Sequence, residues 1–379
     1  MDGIRIGVIG CGYWGSKHVR VMHGVDGASE VALIDERTER LESFARLFPT
    51  ARGFTSLAEA LPHVDAVVVA TPPTSHVPIA LEAMAAGKHV LVEKPLATST
   101  AGAEQLVTRA AEAGVVLMVG HTFEYNSAIW KLRALIESQA LGDIYYLDSA
   151  RLNLGLYQPD VNVVQDLAPH DVSIMNNLLG RCPDTVEAWA ARHAHRRFED
   201  VAYLRLRYSD LDVTANIHVS WLDPCKVRRT TVVGSKKMAV YNDLAAEERI
   251  RIHDKGVEAP LGTLGDDLTQ PPMIYRYGDI IAPSLEFKEP LAVQDQHFVD
   301  SILSGTKPHT DGMNGLDVVA VLEAAHMSLE RGGSVRLDEI FTRPGSLANE
   351  LRRQSTPRVP FPRAAADDDA LVPMAGAVR

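Results

Sequence analysis

The stretch Ile4-Arg5-Ile6-Gly7-Val8-Ile9-Gly10-Cys11-Gly12-Tyr13-Trp14-Gly15 decides the fold of this chain. Residues 4–9 form a short apolar run rich in β-branched side chains, which predicts a buried parallel strand. The glycines that follow have the spacing G-x-G-x-x-G, and residues 16–23 have the length and character of a helix. A helix that begins after such a turn presents free N–H groups and a positive dipole end to a bound anion.

The three glycines have separate functions in a turn of this kind. Gly10 permits the tight turn, Gly12 lets the backbone approach a pyrophosphate, and Gly15 lets the helix pack against the strand. A second strand at residues 31–34 ends at Asp35, whose carboxylate is placed to accept hydrogen bonds from an adenosine ribose. The glycine motif alone also suits an ordinary turn, but the order of strand, glycines, helix, strand and acid predicts dinucleotide binding.

The residues around this motif favour NAD over NADP. The carboxylate of Asp35 would repel the 2′-phosphate of NADP. Arg37 and Arg40 are close enough in sequence to pair with that phosphate, so NADP stays open as the alternative. Tyr13 and Trp14 lie inside the glycine turn, and we expect them to line the same cofactor site.

Composition and charge exclude several classes of partner. The chain has 379 residues, enough for two domains, and its formal net charge of −11 argues against nucleic acids and anionic membranes. Three distant cysteines, Cys11, Cys182 and Cys225, suggest neither a disulfide framework nor a metal site. The early first strand leaves no room for a secretory leader, and no apolar run approaches the length of a bilayer, so we expect a cytoplasmic protein.

Strands and helices alternate as far as about residue 121. Five or six strands alternating with helices predict a doubly wound parallel sheet of the Rossmann kind. Such sheets bind ligands at the carboxyl ends of their strands, so we expect Thr71, Pro72 and His76 near the cofactor. His121, after the last parallel strand, either lies beside the nicotinamide or is an internal linker residue. The remaining strands are predicted at residues 66–70, 89–92 and 115–120, and the remaining helices at residues 37–48, 56–61 and 101–113 and through Met84 up to Gly87.

The pattern changes in the second part of the chain. Residues 202–208 and 213–221 alternate between apolar and polar side chains, as strands of an antiparallel sheet with one buried face do. The small polar side chains on the other face would suit contact between subunits, so we expect a homodimer or homotetramer through this sheet. An extended run is predicted at residues 144–154, and helices at residues 127–138, 295–304 and 314–330.

Three regions follow from these patterns. Residues 1–122 are predicted to form the NAD(P)-binding domain, and residues 123–343 a mixed α+β domain for substrate binding and oligomerisation. Residues 344–379 contain prolines, small residues and an acidic run, which predict a flexible tail. We therefore expect that truncation after Arg343 leaves fold and turnover largely intact.

Two short stretches carry residues suited to proton transfer. Lys94 follows Glu93 at the end of a predicted strand, where its ammonium group would hydrogen-bond a substrate oxygen; an ordinary surface lysine is the alternative. Asp166 and His170 are four residues apart, so in a helix they share a face, and the carboxylate would raise the pKa of the imidazole and orient it. Pro169 is placed where a helix would start, so Asp166 is alternatively only a cap in front of that helix.

Together these motifs resemble the Gfo/Idh/MocA family of oxidoreductases. The resemblance is carried by the glycine fingerprint, residues 70–73, Glu93-Lys94-Pro95 and Asp166-x-x-x-His170, and it covers about residues 1–340. It implies an N-terminal Rossmann domain that holds NAD(P) and a second domain, built on an open antiparallel sheet, that holds the substrate. It also implies that Lys94, Asp166 and His170 are catalytic and that Glu93 and Lys94 belong to the cofactor site.

A narrower similarity concerns the substrate. Residues 153–162, 166–171 and 220–226 are similar to the branch of UDP-N-acetylglucosamine 3-dehydrogenases, which oxidise the C3 hydroxyl of UDP-N-acetylhexosamine derivatives. This similarity implies substrate contacts from Tyr157, Asn162 and Gln165 in addition to the catalytic residues. Gln165 departs from the branch, where a tryptophan is expected beside the catalytic aspartate, and the departure leaves the sugar open.

The sequence therefore predicts an NAD(P)-dependent enzyme that interconverts a secondary hydroxyl and a ketone on a sugar, nucleotide sugar or cyclitol, without a metal. Two alternatives stay open. One is a relative that uses NAD transiently in glycoside cleavage or elimination, and the other is a non-catalytic NAD(H)-binding sensor. The joint presence of Lys94, Asp166 and His170 argues against a sensor, which needs none of them.

Overall fold

A computed structural model of the chain describes residues 3–158, 161–194, 196–258 and 273–341. The predicted tail at residues 344–379, and with it the expected effect of truncation, lies outside the described residues. Strands and helices alternate over the first part of the chain, as predicted. These elements are β1 Ile4–Ile9, α1 Tyr13–Met22, β2 Ala28–Ile34, α2 Thr38–Leu47, β3 Arg52–Phe54, α3 Leu57–Ala60, β4 Ala66–Val69, α4 His76–Ala85, β5 His89–Glu93, α5 Thr100–Ala113 and β6 Leu117–Gly120.

The strands of this region form one six-stranded sheet in the order β3-β2-β1-β4-β5-β6, and neighbouring strands run parallel. This arrangement confirms the predicted doubly wound sheet. The strand order reverses between β1 and β4, which is where such sheets open a crevice at the carboxyl ends of their strands. Helix α1 begins at Tyr13, earlier than the predicted residue 16, because the extended conformation of Gly12 already ends the turn.

Two glycines show why the first turn needs this residue type. Gly10 has φ of 90°, in the left-handed region that residues with a Cβ avoid. A Cβ on Gly15 would lie 1.8 Å from the carbonyl oxygen of Gly10, so any side chain there would push α1 away from β1. Both positions therefore confirm the structural part of the predicted glycine fingerprint.

The later elements build a second sheet and the helices that cover it. They are α6 Ser127–Glu137, β7 Ile144–Leu154, α7 Val163–Leu179, β8 Thr185–Ala191, β9 Val201–Tyr208, β10 Val213–Ser220, β11 Leu222–Gly234, β12 Met238–Asn242, β13 Ile250–Glu258, β14 Ile274–Ile281, α8 Pro290–Ser304, α9 Gly312–Arg331 and β15 Val335–Arg336. The described strands pair in the order β14-β13-β12-β11-β7-β10-β9-β8-β15. Burial alternates along β9 and along β10 as far as Val219, which confirms the predicted period-two strands.

The second sheet is mixed rather than purely antiparallel. Strand β10 pairs parallel to β7, whereas its other neighbour, β9, is antiparallel. The alternation of side chains predicted the two faces correctly, but it carries no information on the direction of the neighbouring strand. The long connection through α7, β8 and β9 is what lets β10 return beside β7 in the same direction.

Helix α7 corrects the predicted course of the chain around Asp166. The helix begins at Val163, because Asn162 forms a capping box in which its side chain accepts the N–H of Gln165 at 3.0 Å. Pro169 therefore lies inside the helix and not at its start. Asp166 is in the first turn of the helix, so it is not the residue that caps the helix.

The last two long helices join the two sheets. Leu291 and Phe298 of α8 are buried in the core around β1, β2 and α1. On α9, Leu316 is buried in the core beside β5 and β6, and Val318 in the core of the second sheet. The two sheets therefore share a helix, which fixes the carboxyl ends of β5 and β6 relative to α7.

Candidate active site

The predicted catalytic lysine and aspartate meet between the two sheets. Lys94 follows the carboxyl end of β5, and its Nζ donates a hydrogen bond of 2.9 Å to the main-chain carbonyl of Asp166 on α7. The same Nζ lies 3.5 Å from Oδ1 of Asp166. Both side chains are mostly buried, with 11% and 21% of their surfaces exposed. Lys94 is therefore a fixed internal cation and not the surface lysine of the alternative interpretation.

Trp221 holds the other oxygen of the same carboxylate. Its indole N–H donates a hydrogen bond of 3.0 Å to Oδ2 of Asp166, and the side chain is 1% exposed. Sequence analysis assigned Trp221 only to the buried face of a strand, because nothing in the alternation shows that its N–H meets a residue on α7. Gln165 stands where a tryptophan is expected beside the catalytic aspartate, and in this structure the indole N–H that Asp166 accepts comes from Trp221, on another element.

His170 lies one helical turn after Asp166 and is half-buried. Its ring contacts the edge of Phe123, with the two ring centroids 5.0 Å apart. Its Nδ1 is buried and has no hydrogen-bond partner among the described residues. This orphan nitrogen leaves Nε2 as the atom that a substrate would meet.

The pKa of His170 is lowered well below its usual value, first by burial and then by the positive charges of Lys94 and Arg151. Sequence analysis expected the opposite direction, from the neighbouring carboxylate of Asp166. The expectation is wrong because Asp166 is held by Lys94 and Trp221, so its charge is already compensated. His170 is therefore a neutral imidazole at pH 7, able to accept a proton.

Asp171 does not change this result. Its carboxylate accepts hydrogen bonds of 2.6 Å from both Ser149 and Arg151 on β7. The guanidinium of Arg151 also lies over the ring of Phe123, 4.5 Å from its centroid. Arg151 and Phe123 therefore form the wall against which His170 packs.

The glycine turn fits a dinucleotide. A Cβ built on Gly12 would meet no atom within 4 Å, so space lies above this peptide where a pyrophosphate would approach. Tyr13 and Trp14 begin α1 beside that space, and both are exposed, Tyr13 by 72%. The free N–H groups at the start of α1 point into the same space.

Asp35 ends β2 where the adenosine ribose is expected. One carboxylate oxygen accepts the N–H of Cys11 at 2.8 Å, and the other accepts the main-chain N–H of Arg37 at 3.0 Å. The Arg37 guanidinium also bonds both oxygens, at 3.1 and 3.3 Å. Although burial opposes ionisation, these hydrogen bonds keep the pKa of Asp35 below its usual value. The carboxylate is thus charged, as binding of a ribose diol requires.

Three residues predicted for the cofactor site are buried behind it. The ring nitrogens of His76 lie 2.8 and 2.9 Å from the carbonyl oxygens of Pro95 and Thr71, so His76 joins the loops after β4 and β5. His121 is 1% exposed, and its Nδ1 lies 2.5 Å from the amide oxygen of Asn314 on α9. Both histidines are therefore placed to support the loops of the site. Because a residue needs an exposed atom to contact the cofactor directly, their burial argues against a direct contact.

Glu93 is the third, and it belongs to a buried network that sequence analysis missed. Its carboxylate lies 2.9 Å from Nε2 of His18 on α1, and Nδ1 of His18 lies 2.9 Å from Asp295 on α8. Burial alone would lower the pKa of His18, but Asp295 and Glu93 raise it to about 10. This charged histidine links helix α1, which follows the glycine turn, to Glu93, the residue before Lys94. No local pattern predicts it, because its partners are far away in sequence.

Thr71 and Pro72 lie at the predicted strand end, in the loop between β4 and α4. The Ser75 hydroxyl lies 2.8 Å from two acceptors, the hydroxyl oxygen of Thr71 and the carbonyl oxygen of Pro72. These contacts close a compact loop at the carboxyl end of β4, next to the glycine turn.

The predicted substrate residues lie at the start of α7. Asn162 and Gln165 form the capping box, and Nδ2 of Asn162 also donates to Glu199 at 3.0 Å. Tyr157 packs beside Trp221, with ring centroids 5.2 Å apart, and its hydroxyl lies 3.4 Å from Asp200. Tyr157 is thus near the Asp166 carboxylate, whereas Asn162 and Gln165 have a structural function in starting the helix.

Metal sites and membrane-spanning helices are two further features to which the described residues can be compared. No group of three histidine, cysteine or acidic side chains there has the arrangement of a metal site. No helix in the same residues combines the length and apolar character that a bilayer crossing requires.

Comparison with known proteins gives matches over most of the chain. A family model described as an oxidoreductase family with an NAD-binding Rossmann fold matches residues 4–121, and a Gfo/Idh/MocA C-terminal domain model matches residues 129–240. The inositol 2-dehydrogenase of Acidiphilium cryptum is 32% identical over 257 residues, which are 63% of this chain and 74% of that protein.

Two nucleotide-sugar proteins match nearly their whole length. The UDP-N-acetylglucosamine 3-dehydrogenase of Acidithiobacillus ferrooxidans is 28% identical over 333 residues, which are 86% of this chain and 97% of that protein. The crystal structure of the WlbA dehydrogenase from Bordetella pertussis in complex with NADH and UDP-GlcNAcA matches with a TM-score of 0.71 at 25% identity. That match covers 88% of this chain and 98% of the WlbA chain.

Proposed function

We propose that this chain, which belongs to the Gfo/Idh/MocA family of NAD-binding oxidoreductases, interconverts a secondary hydroxyl and a ketone on a sugar, nucleotide sugar or cyclitol. The observation that carries the proposal is the meeting of Lys94, Asp166 and His170 between the two sheets. A fixed ammonium group beside a neutral imidazole is the pair of groups that oxidation of an alcohol requires.

In the proposed reaction, the glycine turn and Asp35 would hold NAD, whose nicotinamide carbon would take the hydride from the substrate. His170 accepts the hydroxyl proton at Nε2, since Nδ1 is buried. Lys94 donates a hydrogen bond to the developing alkoxide, and its positive charge stabilises that oxygen. Asp166 and Trp221 hold the Lys94 ammonium in place without themselves exchanging a proton.

The chain's own residues also favour this direction of proton transfer. An alcohol is a far weaker acid than imidazolium, so loss of its proton must accompany loss of the hydride. The low pKa of His170 keeps the ring unprotonated between turnovers, although it also makes the ring a weaker base. The positive charge of Lys94 offsets that weakness, because it lowers the pKa of a hydroxyl bound to it.

For the substrate, we propose a nucleotide sugar oxidised at C3 as the first candidate. The similarity to the A. ferrooxidans dehydrogenase and to the WlbA chain supports it. The position of Tyr157 beside Trp221 and Asp166 supports a substrate contact from this residue. The similarity to an inositol 2-dehydrogenase keeps cyclitols among the candidates.

The experiment is a turnover assay with NAD and a panel of UDP-N-acetylglucosamine, its uronate, free sugars and inositols. Formation of NADH together with a ketone product supports the dehydrogenase. Substrate consumption without NADH formation supports glycoside cleavage or elimination with transient NAD use, and NAD binding without any product supports the sensor.

We also propose that residues 1–122 bind the cofactor and that residues 123–343 bind the substrate and join subunits through the second sheet, in a cytoplasmic homodimer or homotetramer. The outer face of this sheet supports such a contact, because it carries a row of rings from Trp189, Tyr203 and His218. Neighbouring ring centroids are 5.9 and 4.0 Å apart, and Trp189 and Tyr203 are exposed. Light scattering on the full chain tests it: a monomer at micromolar concentration rejects the contact.

A further inference from the structure

Two arginines share one carboxylate on the inner face of the second sheet. Arg228 of β11 lies 3.3 Å from Oδ2 of Asp243, and Arg249 lies 3.6 Å from Oδ1 of the same residue. The hydroxyl of Tyr241 donates a further hydrogen bond of 2.8 Å to Oδ1. The ring of Phe287 lies under the Arg249 guanidinium at 4.2 Å. Asp243 is thus fully engaged, and it neutralises only one of the two arginines.

Arg228 lies on the face of the sheet that carries the candidate active site, and the Asp243 carboxylate joins Arg249 to it. Arg228 is directly opposite Arg151 in the antiparallel pairing of β11 with β7, and directly opposite residues point to the same face. Arg151 contacts Asp171, which follows His170 on α7. The positive charge of Arg228 is among those that lower the pKa of His170, so the two residues are within electrostatic reach.

Among the described residues, the ion pairs of the two arginines involve one carboxylate. Arg151 and Asp171 form a separate buried pair, so Arg228 and Arg249 share Asp243 as their acidic partner within that part of the chain. Within the described part of the chain, the Arg228 guanidinium makes a single hydrogen bond, to Asp243. An arginine carries five N–H donors in a planar fork, so most of this fork is left for another acceptor. The side chain is 39% exposed, which gives a ligand access to it.

We propose that Arg228 and Arg249 form a subsite for an anionic group of the substrate, a carboxylate or phosphate carried by the molecule whose hydroxyl meets His170. The inference rests on the proposed dehydrogenase function. It narrows the candidate substrates to acidic or phosphorylated sugars and disfavours neutral sugars and cyclitols. Guanidinium groups bind both kinds of anion through paired N–H donors. The chain as a whole is acidic, with a net charge of −11, so a local positive excess beside the site is selective for such a substrate.

The test compares two matched ligand pairs on the NAD-loaded full chain. D-glucuronate against D-glucose probes a carboxylate, and N-acetyl-D-glucosamine 1-phosphate against N-acetyl-D-glucosamine probes a phosphate. Titration calorimetry gives affinity, and NADH formation gives kcat/KM. We expect one anionic ligand to bind about tenfold or more tightly than its neutral partner. The pair that shows the preference identifies which of the two anions the subsite takes.

Variants of neighbouring arginines provide the control. Arg228→Gln and Arg249→Gln should each reduce the anionic-to-neutral ratio by about tenfold, and Arg228→Lys should reduce it less. Arg229→Gln removes the same charge from the adjacent, exposed position and should leave the ratio unchanged. Equal affinity for the anionic and neutral members of both pairs overturns the subsite. An equal loss in Arg228→Gln and Arg229→Gln also overturns it.

The outcomes also separate this subsite from the proposed function. Formation of NADH from a neutral sugar, without any preference for the anionic ligands, rejects the subsite and keeps the dehydrogenase. An anionic preference that depends on Arg228, with no NADH formed from any ligand, keeps the subsite and rejects the dehydrogenase.

Discussion

Trp221 donates its indole N–H to Oδ2 of Asp166 over 3.0 Å, while the other oxygen of that carboxylate lies 3.5 Å from Nζ of Lys94. One carboxylate therefore joins a tryptophan at the end of β10 to a lysine at the end of β5. The contact crosses from one sheet to the other through α7. Asp166 holds the Lys94 ammonium through both its main-chain carbonyl and its carboxylate, so α7 fixes the position of this charge.

The first prediction concerns this tryptophan. Trp221→Phe keeps a buried ring but removes the donor to Asp166, so Lys94 loses part of its support. A hydrogen bond to a charged group is worth about 1.5–3 kcal/mol, and we expect kcat to fall about tenfold or more. NAD affinity should not change, since the Trp221 indole donates to Asp166 and not to the glycine turn or Asp35. Trp189→Phe, an exposed tryptophan of β8, is the control. An unchanged kcat in Trp221→Phe would show that the contact is not needed.

The second prediction concerns the charge of His170. Its pKa should lie below 6.5, and it should rise in Lys94→Met, because one of the positive charges that disfavour imidazolium is removed. NMR titration of 15N-histidine-labelled protein measures both values. A group with a lowered folded pKa resists protonation, so stability falls as pH falls below about 6.5. A His170 pKa at or above 6.5 in the unmodified chain would contradict the site geometry.

The third prediction concerns His18. Its folded pKa of about 10 exceeds the unfolded value of about 6.5, so its contribution to stability is complete below pH 6.5 and is lost as pH rises towards 10. The Tm difference between the unmodified chain and His18→Gln should be on the order of 5 °C near pH 6 and should shrink at high pH. His23→Gln, at an exposed histidine after the same helix, is the control for the loss of an imidazole. A pH-independent difference would mean that His18 is not charged.

The fourth prediction concerns the choice of cofactor. NAD should have the higher kcat/KM, and Asp35→Ser should raise the NADP-to-NAD ratio about tenfold, because it removes a repelling carboxylate and frees the Arg37 guanidinium. Adding Arg37→Ala to that variant should reverse most of the gain. Steady-state kinetics with both cofactors measure the ratios. Equal or better efficiency with NADP in the unmodified chain would reject the preference for NAD.

Local pattern was enough for most of the fold but not for the polar contacts of the site. The alternation of apolar residues sets the buried face of β9 and β10, and the glycines set the backbone conformation of the turn after β1. Each pattern spans only a few neighbouring residues, so both features could be predicted. The start of α7 could not be predicted in this way. Pro169 suggested that the helix starts there, whereas the capping box of Asn162 starts it at Val163. The contacts of Trp221 with Asp166 and of His18 with Asp295 join residues 55 and 277 positions apart. A periodic pattern of apolar residues carries no information on contacts between residues so far apart in the sequence.

The roles given to His170 and Lys94 are the central claim. His170→Ala should reduce kcat about 10²–10⁴-fold, as loss of a positioned general base typically does. Lys94→Ala should cost a similar factor, and the two losses should not multiply in the double variant if the residues act as one unit. Control measurements of NAD affinity should give the unmodified value in all three variants, because the glycine turn and Asp35 are intact.

The most direct test is therefore kcat of His170→Ala on the authentic substrate, measured beside its NAD affinity. The account predicts a fall of at least about a hundredfold with NAD binding retained. A turnover close to that of the unmodified chain would contradict it and would move the proton acceptor to another residue.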